Sequence, residues 1–134
     1  MSRNSFGFEE LEIWKKARVC KNEISFLLKS FPPEEKYKLV DQLIRSSRSI
    51  GSLIAEGHGR FSYPDQIHFC IQARGSLSET INHLIDAMDA NYISEIILED
   101  YRIKFKELER MLNGYIIYLR NKKDQKSQKE ENIS

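Results

Sequence analysis

The sequence predicts an all-α protein, an antiparallel up-down-up-down four-helix bundle. Two observations carry this. Four long stretches repeat apolar residues at helical spacing, and short links containing Pro, Gly or capping Ser separate them. Six Gly and three Pro in 134 residues are also too few for a many-turned β-sandwich or barrel. That length suits one domain, and 40% hydrophobic residues suffice for its core. The bundle is expected over residues 8–121, followed by a disordered polar tail over residues 122–134.

The first helix is expected over about residues 9–30, stopped by Phe31-Pro32-Pro33. Its stripe is Ile13, Ala17, Cys20, Ile24, Leu27, Leu28 and Phe31, with Trp14 at the margin. The second, over about residues 34–56, opens on Glu34 and Glu35, which favour the helix dipole. Val40, Leu43, Ile44, Ser47, Ile50, Gly51 and Ile54 share its inner face. Gly57 and Gly59 are expected to end it through the left-handed conformation. Ser62 is a candidate N-cap for the third helix, with Pro64 and Asp65 in the first turn. That helix carries Ile67, Cys70, Ile71, Leu77, Ser78, Ile81, Leu84, Ile85 and Met88. Ser94 caps the fourth, where Tyr101, Phe105, Leu108, Leu112, Tyr115 and Leu119 keep a heptad seam. Short links place successive helices antiparallel and adjacent.

Lys and Arg total 21 against 20 for Asp and Glu, so bulk charge does not hold this protein to nucleic acid; a local basic patch remains open. Cys20 and Cys70 read as small buried hydrophobes. The opening residues lack a signal-peptide core, and no apolar run is long enough to span a bilayer. The expectation is a soluble cytoplasmic protein with no membrane partner.

Two helices carry more apolar surface than one bundle needs. Leu11, Val19 and Phe26 point away from the first stripe, and Ile96, Ile103 and Ile117 repeat by sevens opposite the fourth, with Arg110 at the missing step. They are either scattered surface hydrophobes or a subunit interface; shared register favours the interface, and Arg suits one.

Catalytic patterns are sparse. Glu79, His83 and Asp86 share a face of the third helix, but away from its apolar stripe, and Glu-x-x-His is absent. Gly57-His58-Gly59 lacks the ending of a P-loop. Glu9-Glu10 is followed by Ile13 where an all-helical pyrophosphohydrolase needs an acid. No catalytic, metal or cofactor site is expected, and the protein is read as not an enzyme. On the second helix, Arg45, Ser49, Ser52 and Glu56 form one polar ridge, with Asp41, Arg48 and, beyond it, Arg60 alongside. This is either a wet surface or a place for phosphate or a partner loop. Arg74 sits mid-stripe on the third helix and needs water or a partner. Counting levels back from the turn near Asn91 puts it opposite Leu108, with Glu107 and Glu109 as the nearest acids.

Several blocks resemble the bacterial four-helix-bundle proteins encoded in intervening sequences of 23S rRNA genes. They are Phe8-Glu9-Glu10-Leu11-Glu12-Ile13-Trp14-Lys15-Lys16-Ala17, Glu35-Lys36-Tyr37, Gln42-Leu43-Ile44-Arg45, Ser49-Ile50 and Ile54-Ala55-Glu56-Gly57-His58-Gly59-Arg60. Ala73-Arg74-Gly75-Ser76-Leu77-Ser78-Glu79 and Met111-Leu112-Asn113-Gly114 continue the match in unbroken order. Departures are Ile44 for an arginine, Gly51 for a proline and Leu53 for an asparagine. The first removes a charge from any basic recognition face. The resemblance implies a homo-oligomer, a ring-shaped pentamer, without established catalysis. It also implies rRNA as a suggested partner or, by a related protein, a role as adaptor for a nucleic-acid enzyme such as a reverse transcriptase.

Overall fold

Serine side chains satisfy the first amides of two of the helices, and prolines or a left-handed residue follow the ends of two. The computed structural model describes residues 4–133. A 3-10 turn at Gly7–Glu10 precedes α1, Glu12–Leu27, which tightens into a second 3-10 turn at Leu28–Ser30 before the prolines. A third 3-10 turn, Pro33–Glu35, leads to α2, Leu39–His58. Then come α3, Tyr63–Asp89, and α4, Glu95–Ile133. No strand occurs among the described residues. Ser62 Oγ accepts from the Asp65 amide at 3.2 Å, and Ser94 Oγ from the Ile97 amide at 3.1 Å. Both cap expectations hold. Between α3 and α4, Asn91 turns left-handed at φ 64°, while the Tyr92 amide donates back to the Ala87 carbonyl at 2.9 Å.

Contact registers settle the topology. Ser46 pairs with Thr80 and Ser49 with Ser76, so α2 and α3 run antiparallel. Ile67 and Cys70 cluster with Ile116 and Leu119, while Arg74 meets Asn113, so α3 and α4 do too. Gly7 lies against His58, and Trp14 against Gly51, reversing α1 on α2. Tyr101 of α4 donates to the Glu23 carbonyl of α1 at 3.2 Å, closing the square. The bundle is therefore up-down-up-down, as the short links predict.

Leu43, Ile24, Ile50, Ile54, Leu84, Leu98, Phe105, Leu108 and Leu112 form the dry centre. The buried face of α3 is rotated from the expected stripe. Ala73, Leu77, Thr80, Leu84 and Ala87 face inward, Ile81, Ile85 and Met88 are half-buried, and Ile71 and Ser78 are exposed. Small residues win this face because α2 approaches closely. Buried Thr80 Oγ1 donates within reach of Ser46 Oγ (2.9 Å) and the Ser76 carbonyl (2.8 Å), so no hydroxyl is stranded. On α4, Ile116 is buried and Tyr115 half-buried, the reverse of the heptad reading. Trp14, placed at the margin of its stripe, and Ile81, placed on the apolar stripe of α3, are both half-buried.

Residues 122–133 correct the expected disordered tail. They continue α4, with nothing buried beyond Leu119. Extending a packed helix needs no new nucleus, and Lys, Gln and Glu are good helix formers. Lys122 and Lys126 also lie over the rings of Tyr118 and Phe61.

The glycines that end α2 act differently from expectation. Among the described residues no glycine has positive φ, and Gly57 lies inside the helix. A Cβ on Gly57 would sit 2.7 Å from Phe69 Cβ, so this glycine lets α3 come close. A Cβ on Gly75 would meet no atom within 4 Å beyond its own stretch of helix. Gly57→Ala is expected to lose about 1–3 kcal/mol by overpacking, whereas Gly75→Ala gains about 0.5–1 kcal/mol of helix propensity. Urea denaturation of the two variants should move in opposite directions; a shift of the same sign would remove the close-approach explanation.

Candidate functional site

The polar ridge of α2 divides between two sides of that helix. Ser49 Oγ is 3.0 Å from Ser76 Oγ, so it joins the α2–α3 contact rather than an open surface. Arg45 is exposed and bonded to Asp41 at 2.9 Å, and Arg60 to Glu56 at 2.9 Å. The Arg60 guanidinium also lies 4.7 Å from the Phe69 ring centroid. Each of these arginines is thus engaged by an acid four residues earlier, Arg45 within α2 and Arg60 just past its end. Arg48 and Ser52 turn the other way, toward α1.

There they border a groove of about 330 Å³ between α1 and α2, with Arg18 and Lys21 on the opposite wall and Trp14, Ala17, Gly51 and Ala55 toward its base. No carboxylate lines it. Phe8, brought in by the first 3-10 turn, meets the Trp14 ring edge-on at 5.1 Å and closes one end. Arg18 lies over the same indole at 5.7 Å. Among the described residues, Arg18, Lys21 and Arg48 form no ion pair, whereas Arg45 and Arg60 are paired with Asp41 and Glu56. Sequence reading missed the α1 half. Its signal is the spacing Trp14, Arg18, Lys21, at i, i+4 and i+7, which places an aromatic and two cations on one edge.

Of the apolar residues proposed for self-association, Leu11 is half-buried against the bundle core and the others are at the surface. Val19 is 51% exposed, Phe26 75%, Ile96 83%, Ile103 64% and Ile117 57%. Val19 and Phe26 border a shallow groove of about 540 Å³ with Tyr101 and Lys104. Lys104 spans Glu23 of α1 and Asp100, both at 2.9 Å, and these bonds hold its ammonium well above the usual lysine range. Arg110 is bonded to Glu107 through two nitrogens, at 2.6 and 3.1 Å, which holds that carboxyl below its ordinary range.

Arg74 reaches α4, as expected, but its partner is Asn113 Oδ1 at 2.8 Å, not Glu107 or Glu109. Helix side chains lean toward their own N-terminus. On α3 that direction leads away from the turn, toward higher numbers on α4. Glu79 and His83 are 3.3 Å apart, and among the described residues no three His, Cys, Asp or Glu side chains converge.

Fold and surface together define a small antiparallel four-helix-bundle protein with a basic groove between its first two helices and apolar side chains directed outward. The chain belongs to the 23S rRNA-intervening sequence protein family, whose profile matches residues 9–114. It is also similar to a solved structure described as a protein of unknown function from the S23 ribosomal protein family of Bacteroides thetaiotaomicron VPI-5482. The two are 26% identical with a TM-score of 0.71, and the match covers 78% of this chain and 97% of that one. No curated protein matches. Among the described residues no helix is long and apolar enough to cross a membrane.

Proposed function

We propose that this protein is a non-enzymatic scaffold that assembles with copies of itself in the cytoplasm and associates with RNA. The observation that carries the reading is the row Ile96, Ile103 and Ile117, three aliphatic side chains more than half exposed and seven or fourteen residues apart. A face kept apolar in register, where the subunit's own core has no use for it, is the surface of a partner. The second apolar face, Val19 and Phe26, supplies the complementary half that a closed ring requires. Family membership supports the link to ribosomal RNA, and the unpaired cations of the α1–α2 groove supply charge for it. Free, buried Cys20 and Cys70 suit a reducing compartment.

Sedimentation at low micromolar concentration tests the assembly. The expected result is a particle several times the 15.8 kDa chain mass; a clean monomer would defeat the reading. A salt-dependent gel shift with structured rRNA tests the association. Co-purification with one protein, insensitive to nuclease, would instead favour an adaptor for a nucleic-acid enzyme.

A further inference from the structure

We infer that the α1–α2 groove is a binding site for a nucleotide phosphate, with Arg18, Lys21 and Arg48 holding the phosphate and the base of the groove receiving the sugar and base. The inference rests on the RNA-association reading and deepens it by naming the site and the ligand's chemistry.

Four features converge. The groove carries three cations with no carboxylate in its walls, while the arginines on the far side of the α2 ridge are neutralised by their own acids. Such a concentration of uncompensated positive charge is satisfied by an anion with several acceptor oxygens, and a phosphate offers them to guanidinium and ammonium donors together. Neutral donors accompany the cations. The Ser52 hydroxyl lines the rim, and the Trp14 indole Nε1 faces Gly51 with no acceptor bonded to it among the described residues. The base of the groove is apolar and aromatic, which a bare inorganic anion does not use but a nucleoside does. Finally, Gly51 leaves the space. A Cβ there would be 3.7 Å from Trp14 Nε1, ordinary contact, so a methyl fits but any longer side chain projects into the groove.

The ligand's source is either a free nucleotide or a nucleotide unit within an RNA strand, and the two share this chemistry. Trp14 is the protein's one tryptophan and lines this groove, so its fluorescence reports on it; Trp14 also borders the neighbouring cleft with Val19 and Asn22, and the Arg48 and Gly51 variants, which lie outside that cleft, separate the two. The experiment titrates the full chain with inorganic phosphate, adenosine monophosphate and a short single-stranded oligouridylate. The expected result is a saturable change in Trp14 emission with the nucleotides, at concentrations where inorganic phosphate gives none. Tighter and more steeply salt-dependent binding of the oligonucleotide identifies the strand as the source; equal binding of the monophosphate identifies the free nucleotide. Arg48→Gln is expected to weaken either by about tenfold or more. Gly51→Leu, which changes no charge, is expected to abolish the emission change while circular dichroism stays that of the parent.

An unresponsive Trp14, equal response to inorganic phosphate, or undiminished binding by both folded variants would overturn the assignment. RNA that still shifts the Gly51→Leu and Arg48→Gln proteins as it shifts the parent would place RNA elsewhere on the scaffold. The groove would then fail while the association stands.

Discussion

Phe105→Ala is expected to destabilise the bundle by about 3–5 kcal/mol, the largest loss of any single truncation proposed for this chain. Phe105 is 1% exposed and lies among Leu77, Leu108 and Leu112, its ring 6.5 Å from that of Tyr101. Removing the ring forfeits its transfer free energy and leaves a void that four packed helices close only in part. At constant protein concentration, which removes any contribution of self-association, the melting temperature should fall by about 10 °C or more. Leu112→Ala, one helical turn pair further along and fully buried, is expected to cost about 2–5 kcal/mol. A loss below about 1 kcal/mol for Phe105→Ala would mean that α4 does not present this face to the core.

That α4 has such a face was legible from the spacing of Tyr101, Phe105, Leu108 and Leu112, all of them buried. The same reading failed on α3, because apolar counting favours large side chains. Thr80 and Ala87 carry little weight in any hydropathy pattern, yet they are the residues that let α2 lie close, with Ser46 and Ser76 satisfying the threonine. Closeness is a property of two helices at once, so neither sequence segment states it alone. Gly57 teaches the same point. Its place in the Ala55-Glu56-Gly57 block suggested a turn, and the structure assigns it to contact with Phe69.

The ridge of α2 was legible as polar but not as divided. One helical wheel cannot tell that Ser49 meets Ser76 on α3 while Arg48 and Ser52 meet the edge of α1. Which cations are free was partly legible: Arg45 and Arg60 each follow an acid by four residues, Asp41 and Glu56, and Arg48 follows Ile44. Arg18 and Lys21 passed unnoticed because they lie on a different helix from the ridge.

Ile103→Glu is expected to convert the proposed assembly into monomers of 15.8 kDa without loss of helix content. Ile103 is 64% exposed in the subunit, so the carboxylate costs the isolated fold little. At an interface the same carboxylate is desolvated, and the burial of an aliphatic side chain worth about 1.5–3 kcal/mol is lost with it. Together these raise the dissociation constant by about two orders of magnitude or more. Phe26→Glu, at the other apolar face, should act the same way. The two variants mixed then separate the modes of assembly. In a ring, the α1 face of one copy meets the α4 face of the next, so each variant keeps one sound face. The intact α4 face of Phe26→Glu meets the intact α1 face of Ile103→Glu, and the pair stops at twice the chain mass because both outer faces are spoiled. If instead the α4 seam meets its own copy about a two-fold axis, Phe26→Glu alone already runs at twice the chain mass, and mixing leaves Ile103→Glu monomeric. A Ser78→Glu control, an exposed site on α3 outside both faces, should leave the parent assembly intact. Sedimentation of the mixture at twice 15.8 kDa is the expected result, and unchanged assembly of Ile103→Glu alone would exclude the α4 seam as the contact.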